Sequence, residues 1–261
     1  MANEVIARVA KVTDKPIKYV LLTHYHAARV LGASAFKDAE ILASDATRGL
    51  ITERGKQDMD SEIGRFPRLF RAVESIPGLT WPTITFPDQI SIWLGRREVR
   101  IMHIGRGHTA GDVIAVVPDA GAVFAGDLIE YKSACYGGDA HFIDWPTTLD
   151  NLAEMQANVL VPGRGAALTT PEMVAEGIAL TGDFISTLYG SVNESVAKGR
   201  SLKDAFDFAR LAMDPKFKTF TIYEHCLPFS VVRAYDEARG IEWPVIWTAE
   251  RDREMWAALQ G

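Results

Sequence analysis

The sequence predicts an α/β fold that is followed by a helical extension. Short apolar runs bounded by turn residues are typical of buried strands, and they lie between residues 17 and 161. Beyond residue 165 the pattern changes to long segments with helical periodicity. The 261 residues are enough to bury a sizeable core. We therefore predict a mixed α/β domain over residues 1–165 and a helical C-terminal extension over residues 166–261.

The order of the elements supports this division. Apolar residues on one side predict a short helix over residues 3–12, and a helical pattern over residues 47–76 is interrupted by Pro67, which disfavours a helix interior. Glycine and proline separate the other elements, Pro171 suits a first helical turn, and Ser201 suits a helix cap. The predicted strands are 17–23, 40–43, 83–86, 90–94, 98–104, 113–117, 122–125 and 159–161, and the other predicted helices are 28–36, 171–198, 201–213, 228–239 and 247–259.

Composition excludes several classes of protein. The formal net charge of −6 lacks the basic footprint that nucleic-acid binding needs. The two cysteines, Cys135 and Cys226, are far apart and predict no disulfide framework, which is typical of a reducing compartment. We find neither a signal peptide pattern nor an apolar run of membrane-spanning length, and we therefore expect a cytoplasmic protein without a membrane partner.

Chemically capable side chains follow four of the predicted strands. His24 and His26 directly follow the first strand, and alternate residues at a strand end point the same way, so that two imidazoles can face one point. A turn between two later strands can add His108. Asp127 leaves a buried strand, and Arg164 lies in a tight turn after the last strand. Strand ends are where α/β folds place their sites.

In this order, the four segments resemble the motif series of the metallo-β-lactamase superfamily over residues 17–165. The resemblance implies an αββα sandwich and a metal-dependent hydrolase. It also implies that His24, His26 and His108 hold one metal ion. Asp127 matches the carboxylate that contributes to the second metal site, and we count it among the candidate ligands.

Three positions depart from the family pattern. Ala28 and Arg29 stand where the family has Asp and His, and Arg164 stands where it has the last turn histidine. The second metal site is therefore degenerate, whereas three neutral imidazoles can still bind zinc with one position open for water. We expect one zinc ion, with iron or no metal as alternatives. Ala28 cannot orient that water, so Asp127 is the first candidate for a base.

The two arginines have two alternative roles. They can replace the charge of the lost cation and pair with buried Asp127, whose burial without a partner would cost several kcal/mol. Alternatively, Arg29 and Arg164 can hold a phosphate or carboxylate of a substrate. We favour the pairing, and we count Asp127, Arg29 and Arg164 as the candidate catalytic residues.

The predicted function is hydrolysis of a small-molecule ester, thioester, amide or phosphoester. The alternative is a catalytically degenerate, metal-free member of the same fold that binds a ligand in the same pocket. The helical extension is compatible with a homo-oligomer. Because His24 follows so closely on the start of the chain, the sheet would lack the strands that begin other family members, and we expect an unpaired sheet edge and an uncovered apolar face. Either the start of the sequence is truncated or wrongly chosen, or a partner covers the gap.

Overall fold

The fold is seen in a computed structural model that describes residues 2–65, 67–68 and 70–260. Its helices are α1 (Ala2–Val9), α2 (Ala27–Ala33), α3 (Asp45–Arg65), α4 (Trp145–Ala153), α5 (Pro171–Ala197), α6 (Leu202–Phe217), α7 (Tyr223–Ala238) and α8 (Ala249–Gln260). Its strands are β1 (Tyr19–Leu21), β2 (Glu40–Ser44), β3 (Ile84–Phe86), β4 (Gln89–Leu94), β5 (Arg97–Met102), β6 (Ile114–Val117), β7 (Ala122–Glu130) and β8 (Val159–Arg164).

The strands form two sheets that pack face to face. β1, β2 and β3 form a parallel sheet, and β4 to β8 form a second sheet whose order follows the chain. Only the β7–β8 pair of the second sheet is parallel. One buried cluster joins Leu42 and Phe86 of the first sheet to Ile101 of the second. The predicted sandwich of two sheets is therefore confirmed.

Helices cover the outer faces of both sheets. Val30 of α2 and Leu50 of α3 pack on Ile41 of the first sheet. On the second sheet, a larger core includes Leu149 of α4 and Phe184 of α5. These layers complete the αββα arrangement. They also leave the ends of β1, β7 and β8 free to carry polar side chains.

Several predicted boundaries are wrong. β7 continues to Glu130 rather than ending at residue 125, and β8 continues to Arg164, so that Asp127 and Arg164 lie within strands rather than after them. Parallel pairing of β7 with β8 maintains both strands. Among the residues after Arg65 that the structure describes in the predicted helical segment, the one helical element is a 3₁₀ turn over Val73–Ser75. Helix α4 was not predicted, although Trp145, Leu149 and Leu152 have helical spacing and are buried.

The C-terminal helices share a core with the second sheet. Phe184, Leu188 and Phe217 belong to the same buried cluster as Leu128 and Leu160 of β7 and β8. A domain boundary at residue 165 stays a prediction. A boundary at that position would divide this shared core between two domains. Among the described helices, none is both long and apolar enough to cross a membrane.

One edge of the sandwich carries exposed apolar side chains. Trp93 and Leu94 of edge strand β4 are 64% and 51% exposed, and Tyr19 of β1 is 41% exposed. A groove of about 1050 Å³ runs between the start of β1 and the β4–β5 turn. In the described part of the chain the first element is helix α1, and no strand precedes β1. The expected uncovered apolar surface is therefore present.

Candidate metal centre

Three histidine side chains meet at one end of the sandwich. His24 and His26 lie between β1 and α2, and His108 lies in the loop between β5 and β6. Their ring centroids are 4.7–5.0 Å apart in every pair. One nitrogen from each ring lies within 4.8 Å of the other two, and His108 Nε2 is 2.9 Å from His26 Nδ1. The structure thus brings together the three imidazoles that the sequence singled out.

Neighbouring side chains hold two of the rings through their other nitrogens. His24 Nδ1 lies 3.0 Å from Thr23 Oγ1, and His26 Nε2 lies 3.0 Å from Asp139 Oδ2. A carboxylate partner places the proton of neutral His26 on Nε2, which leaves Nδ1 with its lone pair facing the other rings. Nδ1 of His108 is buried and has no hydrogen-bond partner within the described residues.

The protonation of the rings suits metal binding. Burial lowers the pKa of His24 well below its usual value, and it lowers the pKa of His108 to about 3. Burial acts in the same direction on His26, but the hydrogen bond to Asp139 and its charge outweigh it and raise the pKa of His26. At neutral pH, His24 and His108 are therefore neutral and keep a lone pair for a cation. Together with Nδ1 of His26, these two imidazoles make a ligand set that fits a single zinc ion.

Asp127 lies beside the histidines but is held by two arginines. Arg29 Nη2 is 2.5 Å from Oδ1 of Asp127, and Arg164 Nη1 is 3.1 Å from its Oδ2. The side chain of Asp127 is only 2% exposed. The predicted pairing of both arginines with this carboxylate is therefore confirmed. The two guanidinium groups stand where the family pattern has ligands of the second metal ion.

The surroundings of Asp127 keep it ionised. Burial alone would raise its pKa, but the nearby histidines and the two guanidinium charges together hold the pKa well below its usual range. Oδ2 also lies 3.7 Å from His108 Nε2 and 3.8 Å from His24 Nε2. Because each oxygen already has a cationic partner, this geometry argues against Asp127 as a base or a strong ligand. Its roles as ligand and base nevertheless stay predictions.

Glu130 is a member of the site that the sequence did not reveal. It is 1% exposed at the end of β7, and its Oε1 accepts a hydrogen bond from Arg164. Strand alternation would place Asp127 and Glu130, three residues apart, on opposite faces. The pairing of β7 with β8 shifts its register between Gly126 and Glu130, and both carboxylates thereby reach Arg164.

A second buried pair, Arg54 and Asp139, was not predicted from the sequence. Asp139, which contacts His26, lies 3.2 Å through Oδ1 from Nη1 of Arg54 on α3. Arg54 is 2% exposed and donates a further hydrogen bond to the carbonyl oxygen of Pro244, near the C-terminus. Helix α3 and the C-terminal segment therefore both contribute to the orientation of His26.

A small pocket opens onto the cluster. Its volume is about 110 Å³, and its walls include His26, Tyr136 and Arg164. Two acidic side chains also border it, but both are engaged. Asp58 accepts a hydrogen bond of 2.6 Å from the backbone N–H of Ala27, and Glu62 lies 2.7 Å from Arg65. The large groove beside β1 lies elsewhere and has no part of the histidine cluster in its walls.

Comparison with known proteins agrees with this geometry. The family model described as Metallo-beta-lactamase superfamily matches residues 2–164, which is more than half of the chain. The chain belongs to the metallo-β-lactamase superfamily. Solved structures agree on the fold: a metallo-β-lactamase from Pontibacter korlensis superposes with a TM-score of 0.54 at 20% identity, over 69% of this chain and 75% of that one.

Curated members of the superfamily are distant relatives. A linear primary-alkylsulfatase from Pseudomonas sp. (strain ATCC 19151) is 22% identical over 85% of this chain and 48% of its own length. A metallo-β-lactamase type 2 from Bacillus sp. (strain 170) is 25% identical over 63% of this chain and 58% of its own length. The chain thus spans about half to three fifths of the length of these relatives.

Proposed function

We propose that this member of the metallo-β-lactamase superfamily is a hydrolase that uses a single metal ion, held by His24, His26 and His108. The observation that carries the proposal is the convergence of three imidazole nitrogens, each within 4.8 Å of the others, from two buried histidines and one half-buried histidine. Two of these imidazoles are neutral at physiological pH, as a ligand must be. Zinc suits such a set best, and iron is the alternative.

A zinc ion with three histidine ligands supplies Lewis acidity and activates water near neutral pH. Side chains next to the histidines would position the substrate and stabilise its charge. Asp127 fixes Arg29 and Arg164 beside the histidines through its two oxygens. The two guanidinium groups would stabilise negative charge that develops on the substrate. In this proposal Asp127 acts as an anchor for the arginines, and its use as a base is the less favoured role.

The substrate belongs to the broad class of esters, thioesters, amides and phosphoesters. The names of the relatives, an alkylsulfatase and several β-lactamases, indicate small-molecule substrates for those proteins. We propose a small-molecule substrate for this chain as well. Assignment to one bond type does not follow from the fold.

A metal-free binding protein is the second candidate. The observation in its favour is that Arg29 and Arg164, which stand at the sequence positions of second-metal ligands in the family pattern, both pair with Asp127. In that case the pocket would bind its ligand through guanidinium groups, without hydrolysis.

Metal content separates the two candidates. Elemental analysis of protein purified without added metal, and again after loading with zinc, should find about one ion per chain. His24→Ala and His108→Ala should lose it. His103→Ala is the matched control, because Nδ1 of His103 contacts the backbone oxygen of Asp112 and lies outside the cluster. Wild-type protein that holds no metal even after loading would overturn the hydrolase proposal.

A further inference from the structure

Arg29 and Arg164 retain donors that the protein does not use. Each guanidinium group carries five N–H bonds. Hydrogen bonds within the described residues use Nη2 of Arg29 and Nη1 of Arg164, to Asp127 and Glu130 respectively. Their other nitrogens donate no hydrogen bond to any described residue. Each guanidinium group is therefore fixed along one edge, and its remaining N–H groups have no partner among the described residues.

Both arginine side chains reach the solvent side of the site. The side chains of Arg29 and Arg164 are 34% and 32% exposed, whereas Asp127 is 2% and Glu130 0% exposed. The carboxylates thus lie beneath the guanidinium groups, which form the outer layer. Arg164 also lines the pocket that contains His26.

Two permanent cations, Arg29 and Arg164, meet at one ionised carboxylate, Asp127. Burial and the neighbouring charge of Asp127 raise the pKa of Glu130 well above its usual range, in spite of Arg164. This shift favours the protonated form of Glu130, which carries no charge. The two acids of the pocket, Asp58 and Glu62, are engaged by Ala27 and Arg65. Arg29 and Arg164 contact opposite oxygens of one carboxylate, so a single oxyanion of similar size can contact both of them.

We propose that Arg29 and Arg164 form a binding site for a tetrahedral oxyanion, of the sulfate or phosphate type, beside the three histidines. Planar guanidinium groups are the preferred partners of such anions because they donate paired hydrogen bonds. Oδ2 of Asp127 lies between the arginines and the histidines, 3.1 Å from Arg164 Nη1 and 3.7 Å from His108 Nε2. The substrate class that follows rests on the proposed hydrolase function: an ester of sulfate or phosphate, whose anionic group the arginines hold while the scissile bond lies next to the histidines.

Anion binding to metal-free protein tests the site independently of catalysis. Isothermal titration calorimetry with inorganic sulfate and inorganic phosphate, on chelator-treated wild type, should give saturable binding of one anion per chain. Acetate at the same ionic strength should bind at least several-fold more weakly. Arg29→Gln should weaken sulfate binding about ten-fold or more, and Arg29→Lys should weaken it less. Arg29 is the position of choice because Arg164 remains to balance Asp127, so the variant is expected to fold.

Arg106→Gln is the matched control. Arg106 is also 34% exposed and also paired with carboxylates, Asp144 and Glu242, but these lie on the surface. Its replacement should leave sulfate binding unchanged. Wild type without saturable binding of either anion would overturn the proposal, and so would equal affinities of wild type and a folded Arg29→Gln variant.

Ester substrates separate this inference from the proposed function. After zinc loading, wild type should hydrolyse 4-nitrophenyl sulfate or 4-nitrophenyl phosphate, and Arg29→Lys should raise the KM for that ester more than the KM for neutral 4-nitrophenyl acetate. Sulfate binding without zinc binding would overturn the hydrolase and support the anion site. Zinc-dependent hydrolysis confined to the neutral ester, without sulfate binding, would support the hydrolase and overturn the anion site.

Discussion

At the scale of single residues, the site depends on how each buried charge is balanced. Asp127 has a cation on each oxygen, and His26 has a carboxylate behind it. Buried charges are tolerated in proteins when they are paired and hydrogen-bonded. The contribution of each charged residue is therefore best measured by removing one partner at a time.

Removal of Arg164 should destabilise the fold. Arg164→Ala would leave Glu130 without its hydrogen bond and Asp127 with one cation fewer, and an unsatisfied buried acceptor costs about 1–3 kcal/mol. Urea unfolding should therefore show a lower free energy of unfolding, and metal content should change as Asp127 becomes free to bind. Arg106→Ala on the surface should stay within about 0.5 kcal/mol of wild type. Unchanged stability and metal content in Arg164→Ala would contradict the pairing role.

Replacement of Asp139 should weaken the metal site without touching a ligand. Asp139→Asn removes the charge that fixes the proton of His26 on Nε2, and loss of such a supporting group typically lowers metal affinity about 10–100-fold. Competition with a chromophoric chelator would measure the zinc affinity. Asp144→Asn, at a partly exposed ion pair with Arg106, is the control. Equal zinc affinities of wild type and Asp139→Asn would show that Asp139 does not position His26.

Acid should destabilise the protein through His141. This side chain is 1% exposed, and burial lowers its pKa to about 4 from an ordinary value of 6.5. The unfolded chain therefore binds a proton between pH 6.5 and 4 that the folded chain excludes, so that stability is full above pH 6.5 and falls towards pH 4. The loss is about 3 kcal/mol. Chemical unfolding as a function of pH should show a shallower fall for His141→Phe, and parallel curves would contradict the prediction.

Residue types and their order were enough to identify the three histidines, because each follows a strand. They also predicted that Arg29 and Arg164 would meet Asp127. Asp139 and Arg54 could not be found in this way, because 85 residues separate them and only tertiary packing brings them together.

At the scale of elements, the irregularity in β7 is the feature that shapes the site. Gly126 has a φ of 55°, a conformation that residues with a Cβ rarely adopt, and the register of β7 against β8 shifts on both sides of it. The strand was predicted to end at residue 125, directly before this glycine. Apolar Leu128 and Ile129 continue the buried strand beyond it, which is why that boundary was wrong.

Alanine at Gly126 should disturb both the strand and the histidines. A Cβ there would lie 2.9 Å from Cβ of Thr23, the residue that contacts His24, and the left-handed backbone itself costs about 1–2 kcal/mol. We expect Gly126→Ala to lower the free energy of unfolding by at least this amount and to reduce zinc affinity. Gly190→Ala is the control, because its Cβ would meet nothing within 4 Å in helix α5, and it should stabilise by about 0.5–1 kcal/mol. A fully stable Gly126→Ala variant would contradict the strain at this position.

At the scale of the whole molecule, the C-terminal helices are part of the structure that supports the site. They complete the core of the second sheet, and Pro244 holds Arg54, which in turn contacts Asp139. The sequence predicted these helices as a separate extension because hydrophobic periodicity shows where helices lie but not which sheet they cover.

Truncation after residue 165 tests the predicted domain boundary. Without α5 and α6, the face of β7 and β8 that packs against Phe184, Leu188 and Phe217 would be exposed to water. We expect the fragment 1–165 to aggregate or to bind a hydrophobic dye strongly when it is expressed alone. A soluble fragment that unfolds cooperatively in urea would instead establish residues 1–165 as an autonomous domain.

The positive charge contributed by Arg29 and Arg164 is covalently part of the chain. Chelators cannot strip it, and scarcity of metal in the growth medium cannot deplete it. One side of the cleft therefore keeps its electrostatic character in apoprotein and loaded protein alike, and only the imidazole side responds to metal supply. The imidazole side can accordingly gain or lose its metal ion, and the arginine side its anion, one at a time.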